Sequence, residues 1–322
     1  MVKLIIQIPC FNEEETLPLT LKDLPKRIPG VDRIEVLVID DGSTDQTVKV
    51  AQKFGVDHIL RFTQRKGLVH AFKAGVDECL RLDADIIVNT DGDNQYNAAD
   101  IEKLVKPVLT GEADIVIGDR NVNSIKHFSW IKKRLQGLGS WVVRKLSGTN
   151  VIDTTSGFRA YSREAALQMN IVSSYTYTLE SIIQSGNKQL LIKSVPIRTN
   201  QKTRESRLFR SIPHYISKSI LTIIRVFIFY YPLKSFFYIG GTLFSLGIIT
   251  GLVYLFLQFY YLPHANNLAT LILCAILLIM GFFLFMMGLL ADLIGCNRKL
   301  IEDMIVRIKR LETESKQKTN HF

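Results

Sequence analysis

Apolar and polar positions alternate in a regular order through residues 3–118. Short runs rich in valine, isoleucine and leucine are typical of buried strands, and longer stretches of helical periodicity separate them. The predicted strands are Lys3–Ile8, Ile34–Ile39, His58–Arg61, Asp85–Asn89 and Asp114–Gly118. The predicted helices are Glu14–Leu24, Asp45–Phe54, Leu68–Leu80 and Ala99–Leu109. This alternation predicts an α/β fold, a doubly wound and mostly parallel sheet with helices on both faces, whose ligands bind beyond the carboxyl ends of the strands.

A different pattern begins at Ser235, because residues 235–291 contain no Asp, Glu, Lys or Arg. One membrane span needs about 20 apolar residues, so this length predicts a two-helix transmembrane hairpin. The expected spans lie near Phe236–Phe259 and Leu268–Leu290, and the polar stretch Tyr260–Asn267 with its proline predicts the turn. The buried helical hairpin of a soluble protein is the alternative, which the length disfavours.

The segment before the hairpin, Leu208–Tyr231, carries apolar residues at three- and four-residue steps and polar residues on another face. This pattern is typical of a helix that lies in the headgroup plane, with a helix packed on the soluble domain as the alternative. The predicted domains are therefore a first, α/β domain (1–205), interfacial amphipathic helices (206–232), two transmembrane helices (233–294) and a basic tail (295–322).

The net charge of +10 is unevenly distributed. Residues 1–197 hold 25 basic and 24 acidic residues, whereas residues 198–234 hold eight basic residues and one acidic residue. A basic stretch beside an apolar one favours anionic headgroups or a phosphate-bearing substrate over nucleic acid. Lys and Arg flank both predicted spans but are absent from the turn, so the positive-inside rule predicts that the first domain and both termini are cytoplasmic.

Two groups of carboxylates follow predicted strands. The first strand ends in Pro9-Cys10-Phe11-Asn12-Glu13-Glu14, and the second ends in Asp40-Asp41-Gly42-Ser43-Thr44-Asp45. Carboxylates at strand ends can accept hydrogen bonds from a nucleotide base or from ribose hydroxyls. Alone, an Asp-Gly pair followed by Ser and Thr is also a common turn.

The second group is Asp91-Gly92-Asp93-Asn94-Gln95, directly after the fourth predicted strand. Two aspartates that flank a glycine can direct their carboxylates toward one Mg²⁺ or Mn²⁺, which proteins hold with one or two carboxylates and substrate phosphates. A departing diphosphate requires such neutralisation. A solvated loop is the alternative, which the position after a buried strand disfavours.

Together these motifs resemble those of family 2 glycosyltransferases of the GT-A, Rossmann-like fold. Thr155–Arg159 and Arg204–Arg207 look like two further motifs of the dolichyl-phosphate mannose synthase group, and the hairpin resembles that of bactoprenol glucosyltransferases. The similarity extends over nearly the whole chain. It implies metal-dependent, inverting transfer of one hexose from a UDP- or GDP-sugar to a polyprenyl phosphate, at the cytosolic face of the bilayer.

The resemblance also implies roles for individual residues. The nucleotide-sugar would be bound by Pro9, Asn12, Glu14, Asp40, Asp41 and Asp91. The metal would be bound by Asp91, Asp93 and Gln95. The acceptor phosphate would be bound by Arg120, Arg134, Arg204, Ser206 and Arg207. Asp91, Asp93 and Asp153 would be the catalytic residues, and Asp153 could act as a base or position other groups.

Two other functions stay open at the level of sequence. A membrane-tethered binding or scaffolding module with an inactive transferase domain is one, although both aspartates of the metal motif are present. A lipid flippase or small transporter is the other, but two spans without a charged residue offer no path for a substrate. The oligomeric state is also open, and a homo-oligomer is compatible with the hairpin.

Overall fold

The computed structural model describes residues 1–121, 130–171, 177–200, 224–225, 227–228, 230–260 and 268–319. The chain divides into two compact units. One comprises Met1–Ser219 with Ile305–Phe322, and the other comprises Ile220–Met304. The finer four-part division proposed above stays a prediction.

The first unit contains a seven-stranded sheet of order β3-β2-β1-β4-β6-β5-β7. The strands are β1 (Lys3–Cys10), β2 (Arg33–Asp40), β3 (His58–Arg61), β4 (Ile86–Asn89), β5 (Ile115–Asp119), β6 (Arg159–Ser162) and β7 (Ile192–Pro196). All neighbouring strands are parallel except that β6 is antiparallel to both β4 and β5. The predicted α/β class, with a mostly parallel sheet, is confirmed.

Seven helices connect these strands in the described part of the first unit. They are α1 (Leu17–Asp23), α2 (Thr47–Lys53), α3 (Leu68–Arg81), α4 (Ile101–Leu109), α5 (Trp130–Ser147), α6 (Arg163–Gln168) and α7 (Tyr177–Asn187). A short 3-10 turn, Ala98–Asp100, leads into α4. The four helices predicted from periodicity are all present, each with ends that differ by a few residues at most.

The central strand β1 shows why the sheet is covered on both faces. From Leu4 to Cys10 every residue is buried. Successive side chains of a strand point to opposite faces. Leu4, Ile6 and Ile8 belong to the core that includes residues of α1, α2 and α4, whereas Gln7 points at α3, where its amide oxygen lies next to Gly75.

Sequence patterns did not predict β6 and β7. The strand β6 is four residues long and starts with the fully buried Arg159. A charged residue does not fit the short apolar run by which buried strands are recognised. The strand β7 lies at the sheet edge and is only partly buried. The antiparallel direction of β6 matters for the site, because its first residue faces Asn89 at the end of β4 and Ile117 near the end of β5.

Two long apolar helices, Pro232–Tyr260 and Leu268–Thr319, confirm the predicted pair. Both are long and apolar enough to cross a membrane, and only 11% of the apolar stretch of each helix is buried within the protein. The second helix extends without a break well beyond the predicted span. Of the predicted turn Tyr260–Asn267, the first residue ends the first apolar helix and residues 261–267 lie outside the described residues, as does nearly all of the predicted interfacial helix.

Small residues let these two helices approach closely. A Cβ on Gly240 would lie 3.0 Å from the carbonyl oxygen of Gly281, and one on Gly281 would lie 2.8 Å from Phe244 Cβ. The thiol of Cys274 donates to the carbonyl oxygen of Gly247 at 3.2 Å. Packing at small residues is the usual way in which membrane helices associate, since no hydrophobic effect acts between them in lipid.

Two adjacent glycines of the first apolar helix provide a matched test of this packing. A Cβ on Gly240 meets the facing helix, whereas one on Gly241 meets nothing within 4 Å. We expect Gly241→Ala to be neutral or to stabilise by about 0.5–1 kcal/mol, since Gly disfavours helix. Gly240→Ala should instead destabilise by about 1–3 kcal/mol through overpacking. Thermal unfolding of the full-length protein in detergent measures both, and equal midpoints would contradict the packing.

The C-terminal residues from Ile305 onward group with the first unit. Lys309 Nζ lies 2.7 Å from Asp77 Oδ1 on α3, and Arg310 pairs with Glu164 on α6. The end of the long second helix is thus attached to the sheet domain by two ion pairs.

Candidate active site

The two predicted groups of carboxylates meet at the carboxyl ends of the central parallel strands. Strands β2, β1 and β4 are neighbours and run in the same direction, so the segments that follow Cys10, Asp40 and Asn89 emerge side by side. Their backbones are also joined, because Asp41 N donates to Cys10 O at 2.9 Å and Thr90 N donates to Gln7 O at 3.1 Å. The segment before β6 reaches the same end of these strands because β6 runs the other way.

The loops after β1 and β2 hold each other through side chains. Asn12, in the left-handed region at φ 54°, receives a hydrogen bond on its side-chain oxygen from Thr44 N at 2.8 Å, while its own N–H donates to Ser43 Oγ at 2.9 Å. The carboxylate of Glu14 accepts from Gln46 N at 2.8 Å. Asn12 and Glu14 therefore fix the shape of the loop pair. Pro9 lies in β1, opposite Ile39, and is buried.

The two adjacent aspartates at the end of β2 have different surroundings. Asp41 accepts hydrogen bonds from the backbone N–H groups of Lys66, at 2.7 Å, and Gly67, at 2.9 Å, and so holds the loop that leads into α3. Asp40 accepts from Ser43 N at 3.1 Å through Oδ1. Its buried Oδ2 has the exposed Arg61 guanidinium 3.3 Å away but no hydrogen bond within the described part of the chain. Of the two, Asp40 retains an unused acceptor.

The loop after β4 is held close to β1. A Cβ on Gly92 would lie 2.9 Å from Cys10 Sγ, so only glycine fits between the two aspartates. Asp93 receives hydrogen bonds from Gln95 N at 3.2 Å and from Gln95 Nε2 at 2.8 Å. The far side of the loop is held by Asn200, whose N–H donates to Gln95 O at 2.9 Å. Gln95 thus orients the carboxylate of Asp93.

Asp91 lies against the segment Thr155-Ser156-Gly157. A Cβ on Gly157 would lie 3.4 Å and 3.5 Å from the two carboxylate oxygens of Asp91 and 2.9 Å from the hydroxyl of Tyr177. The N–H of Gly157 donates to the Tyr96 hydroxyl at 3.1 Å. The glycine therefore leaves room for three oxygen-bearing side chains.

Arg120, directly after β5, is clamped by Asp153. Its Nε donates to Asp153 Oδ2 at 2.6 Å and its NH2 donates to Asp153 Oδ1 at 2.9 Å, a bidentate pair. The same NH2 donates to Thr155 Oγ1 at 2.8 Å. The remaining nitrogen, NH1, has no hydrogen-bond partner among the described residues, and the side chain is 19% exposed.

The ionisation of this pair follows from its contacts. Burial alone would raise the pKa of Asp153, but the hydrogen bonds and charge of Arg120, with Thr155, hold that pKa below its ordinary value. Burial would lower the pKa of Arg120, and the surrounding Tyr96, Asp153 and Asp91 raise it instead. Both groups stay charged, so Asp153 is a poor proton acceptor and a good anchor for the arginine.

Low pH should reduce the contribution of the Arg120–Asp153 pair to the unfolding free energy. The pKa of Asp153 in the folded protein lies below the unfolded value of about 3.9, so its stabilising effect is complete above that value and is lost as pH falls through the folded pKa. The unfolding free energy of the wild type should therefore drop more steeply below about pH 4 than that of Asp153→Asn. Denaturant titrations at several pH values measure both slopes, and equal slopes would contradict the anchor.

Arg159, which sequence patterns did not assign, holds the segment before β6 in place. Its fully buried guanidinium donates to Ser156 O at 2.7 Å, Thr154 O at 3.0 Å and Thr178 O at 3.0 Å. These bonds join residues 154–156 to α7. A charged residue at the start of an otherwise uncharged short strand was the available signal for this role.

The acidic side of the site fits a divalent cation. Burial raises the pKa of the Cys10 thiol, and the charges of Glu13, Asp40, Asp91 and Asp45 raise it further. No group of three or more His, Cys, Asp or Glu side chains forms a ready-made metal cage among the described residues. Mg²⁺ usually needs only one or two carboxylates plus substrate phosphates. Asp91 and Asp93 can supply those carboxylates, and the Gln95 side chain lies beside Asp93.

The other predicted phosphate-binding residues are incompletely described. Arg134 belongs to α5, but its side chain lies outside the described residues. Arg204, Ser206 and Arg207 also lie outside them. Their assignments stay predictions.

Comparisons with known proteins agree with this geometry. A family model described as Glycosyl transferase family 2 matches residues 5–169. An undecaprenyl-phosphate mannosyltransferase of Micrococcus luteus is 32% identical over 206 residues, 61% of this chain and 83% of that protein. A polyprenol monophosphomannose synthase of Mycolicibacterium smegmatis is 29% identical over 209 residues, 62% of this chain and 77% of that protein.

Among solved structures, glucosyl-3-phosphoglycerate synthase from Mycobacterium tuberculosis, in complex with Mn²⁺, uridine diphosphate and glucosyl-3-phosphoglycerate, is similar with a TM-score of 0.54. The sequence identity is 21%, and the match covers 69% of this chain and 80% of that protein. At this identity the likeness establishes the fold alone.

Proposed function

The chain belongs to glycosyl transferase family 2, and on that premise we propose that it transfers one hexose from a UDP- or GDP-sugar to a polyprenyl phosphate. Relatives named for undecaprenyl phosphate and polyprenol monophosphomannose support this acceptor class. The observation that carries the proposal is that Asp91 and Arg120, the arginine clamped by Asp153, both lie against the short segment Thr155–Gly157. The carboxylate suits a cation and the guanidinium suits a phosphate.

The donor nucleotide would occupy the surface formed by the loops that follow β1 and β2. The unused carboxylate oxygen of Asp40 suits a base N–H once Arg61 turns aside, because a buried acceptor without a partner is costly. Asp41, Asn12 and Glu14 would act mainly by fixing the loops that form this surface, since their oxygens already accept hydrogen bonds from the protein. Pro9 would form part of its apolar floor.

The donor diphosphate would lie over Asp91, Asp93 and Gln95. These residues would hold Mg²⁺ or Mn²⁺, which supplies neutralisation of the charge that develops on the departing diphosphate. A neighbour of the same fold was solved with Mn²⁺ and uridine diphosphate, which supports the assignment. Gln95 keeps Asp93 in position through its two hydrogen bonds.

The acceptor phosphate would bind Arg120 through NH1, the nitrogen that points away from Asp153. Arg134, Arg204, Ser206 and Arg207 would add further contacts. An oxygen of that phosphate would attack the anomeric carbon as the nucleoside diphosphate departs, which inverts the configuration there. A phosphate monoester is already largely ionised at neutral pH, because its second pKa is about 6. Asp153 would therefore position Arg120 rather than accept a proton.

The proposal is tested by direct transfer. Membranes that contain the full-length protein would be incubated with radiolabelled UDP- and GDP-sugars and a polyprenyl phosphate, and label would be measured in the lipid phase. We expect label from one donor, acid-labile as a phosphate-linked sugar, and none with the Asp93→Asn variant. Label that appears only on water-soluble acceptors would contradict the acceptor class.

We also propose that the sheet domain and both termini are cytoplasmic, from the distribution of Lys and Arg around the two helices. A cysteine introduced at position 266, in a variant that lacks the exposed Cys296, should react with an impermeant thiol reagent applied to intact cells. A cysteine at position 316 should react only after the cells are opened. Labelling of position 316 in intact cells would contradict this orientation.

A further inference from the structure

A chain of buried polar side chains leads from the sheet to the metal motif. Gln7 and Asn89 are fully buried on the adjacent strands β1 and β4, where they are Cα partners. Gln7 Nε2 donates to Asn89 Oδ1 at 2.9 Å, and Asn89 Nδ2 donates to Gly157 O at 2.8 Å and to the Tyr177 hydroxyl at 3.1 Å. Buried amides in an apolar sheet are costly unless they are paired, so this arrangement calls for a reason beyond packing.

Which group donates and which accepts in each of these hydrogen bonds follows from one group that can only accept. A backbone carbonyl such as Gly157 O can only accept, so the amide nitrogen of Asn89 must face it. The oxygen of Asn89 then faces Gln7, which must donate. The second N–H of Asn89 is directed to the Tyr177 hydroxyl oxygen, and the proton of that hydroxyl is left to point elsewhere.

The carboxylate of Asp91 lies next to the same glycine as that hydroxyl. A single point in space, the position of a Cβ on Gly157, is 2.9 Å from the Tyr177 hydroxyl and 3.4 Å and 3.5 Å from the two Asp91 oxygens. The hydroxyl and the carboxylate thus both lie next to the space that a side chain on Gly157 would occupy. The Tyr177 ring is held in place by stacking on Phe72, with ring centroids 3.9 Å apart and planes 7° apart.

We propose that Tyr177 is a positioning residue for the metal site, which donates its hydroxyl proton to Asp91 and is itself oriented by Asn89 and Gln7. A tyrosine hydroxyl can accept one hydrogen bond and donate another at the same time. This role rests on the proposed binding of the metal by Asp91. It also explains why Gly157 cannot carry a side chain.

A hydroxyl that donates to a metal-binding carboxylate holds that carboxylate in one rotamer before the metal binds. Residues that orient metal ligands typically contribute about 10–100-fold in metal affinity. The structure therefore links the metal motif to the interior of the sheet, so that Asp91 is oriented by residues far from it in sequence.

The test measures metal binding directly. Full-length protein in detergent is titrated with Mn²⁺ in the presence of UDP and, separately, GDP, and free Mn²⁺ is followed by electron paramagnetic resonance. Tyr177→Phe removes only the hydroxyl and keeps the stacked ring, and we expect it to weaken Mn²⁺ binding about tenfold or more. The matched control is Tyr161→Phe, which removes the hydroxyl of a second buried tyrosine that packs edge-on against the same Phe72 ring, at 5.9 Å.

Two further measurements separate positioning from stability. The thermal unfolding midpoint should fall in Tyr177→Phe, because Asn89 Nδ2 loses a buried acceptor, and should change little in Tyr161→Phe, because the Tyr161 hydroxyl has no hydrogen-bond partner among the described residues. At a temperature where both variants are fully folded, Mn²⁺ affinity should change only in Tyr177→Phe. Gly157→Ala should also weaken Mn²⁺ binding, and by less in the Tyr177→Phe background, because the hydroxyl that the new methyl group would meet at 2.9 Å is then absent.

The outcomes distinguish this inference from the proposed function. Wild-type affinity in Tyr177→Phe, or an equal loss in Tyr161→Phe, would overturn the role of Tyr177 and leave the metal site standing. Absence of Mn²⁺ binding by the wild-type protein with either nucleotide would overturn the metal assignment and, with it, the role of Tyr177.

Discussion

Asp93→Asn should reduce sugar transfer by at least about a hundredfold, the scale that follows the loss of one pre-oriented group for transition-state charge. The substitution keeps the shape of the side chain and removes the charge that a hard cation requires. Asn keeps one oxygen that accepts from Gln95 N, and its Nδ2 can donate to the Gln95 side-chain oxygen once that amide turns over, so the loop should keep its conformation. Chelator should abolish the activity of the wild type, and Mg²⁺ or Mn²⁺ should restore it.

Asp23→Asn is the matched control for this prediction. Asp23 is an exposed aspartate that touches the same loop, through the side chain of Asn94 at 3.3 Å, and its replacement removes an equal charge. We expect Asp23→Asn to keep nearly full activity and the same metal requirement. Full activity of Asp93→Asn in excess chelator, in a protein whose circular dichroism is unchanged, would refute the metal assignment.

Arg120→Ala should lower the efficiency of polyprenyl-phosphate use by about one to two decades, which corresponds to the roughly 1.5–3 kcal/mol of a charged hydrogen bond. Affinity for the nucleotide-sugar should stay close to normal. The same change leaves the buried carboxylate of Asp153 without its cation, and breaking a buried pair typically costs about 3–5 kcal/mol. Loss of stability therefore has to be separated from loss of binding.

Three further variants make that separation. Arg120→Ala/Asp153→Ala should regain stability but not acceptor use, because neither charge then stays unpaired. Arg120→Lys should fold and still lose acceptor efficiency, because an ammonium cannot reproduce the guanidinium fork. Arg163→Ala is the control, since Arg163 is a similarly buried arginine that pairs with Asp83 at the opposite edge of the sheet. Equal loss of donor affinity in Arg120→Lys would move Arg120 to the donor site.

Strands β1–β5, helices α1–α4 and the two apolar helices could be predicted because each depends on residues close together in the chain. The period of two or 3.6 residues sets which side chains share a face, and the length of an uncharged segment sets whether it can cross a bilayer. The metal motif was recognisable for the same reason, since Asp91, Gly92 and Asp93 are consecutive. The short β6 escaped detection because Arg159 breaks the apolar pattern, although its hydrogen bonds to three backbone carbonyls satisfy the buried guanidinium.

The roles of individual side chains depended on long-range contacts that no local pattern contains. Asp40 and Asp41 are adjacent in sequence, yet only the loop at Lys66 and Gly67 gives Asp41 its partners and leaves Asp40 an unused oxygen. Arg120 and Asp153 are 33 residues apart, and their pairing turns a candidate base into an anchor.

Gln7 and Asn89 each interrupted an apolar strand, which was a visible signal, but their connection to Tyr177 arises only where β1, β4 and α7 meet. The sequence by itself thus determined strands β1–β5, helices α1–α4, the two apolar helices and the chemical groups of this glycosyltransferase, because local periodicity and composition encode them. The tertiary structure decided which groups are held and which are free to act, because burial and hydrogen-bond partners are set by segments distant in the chain.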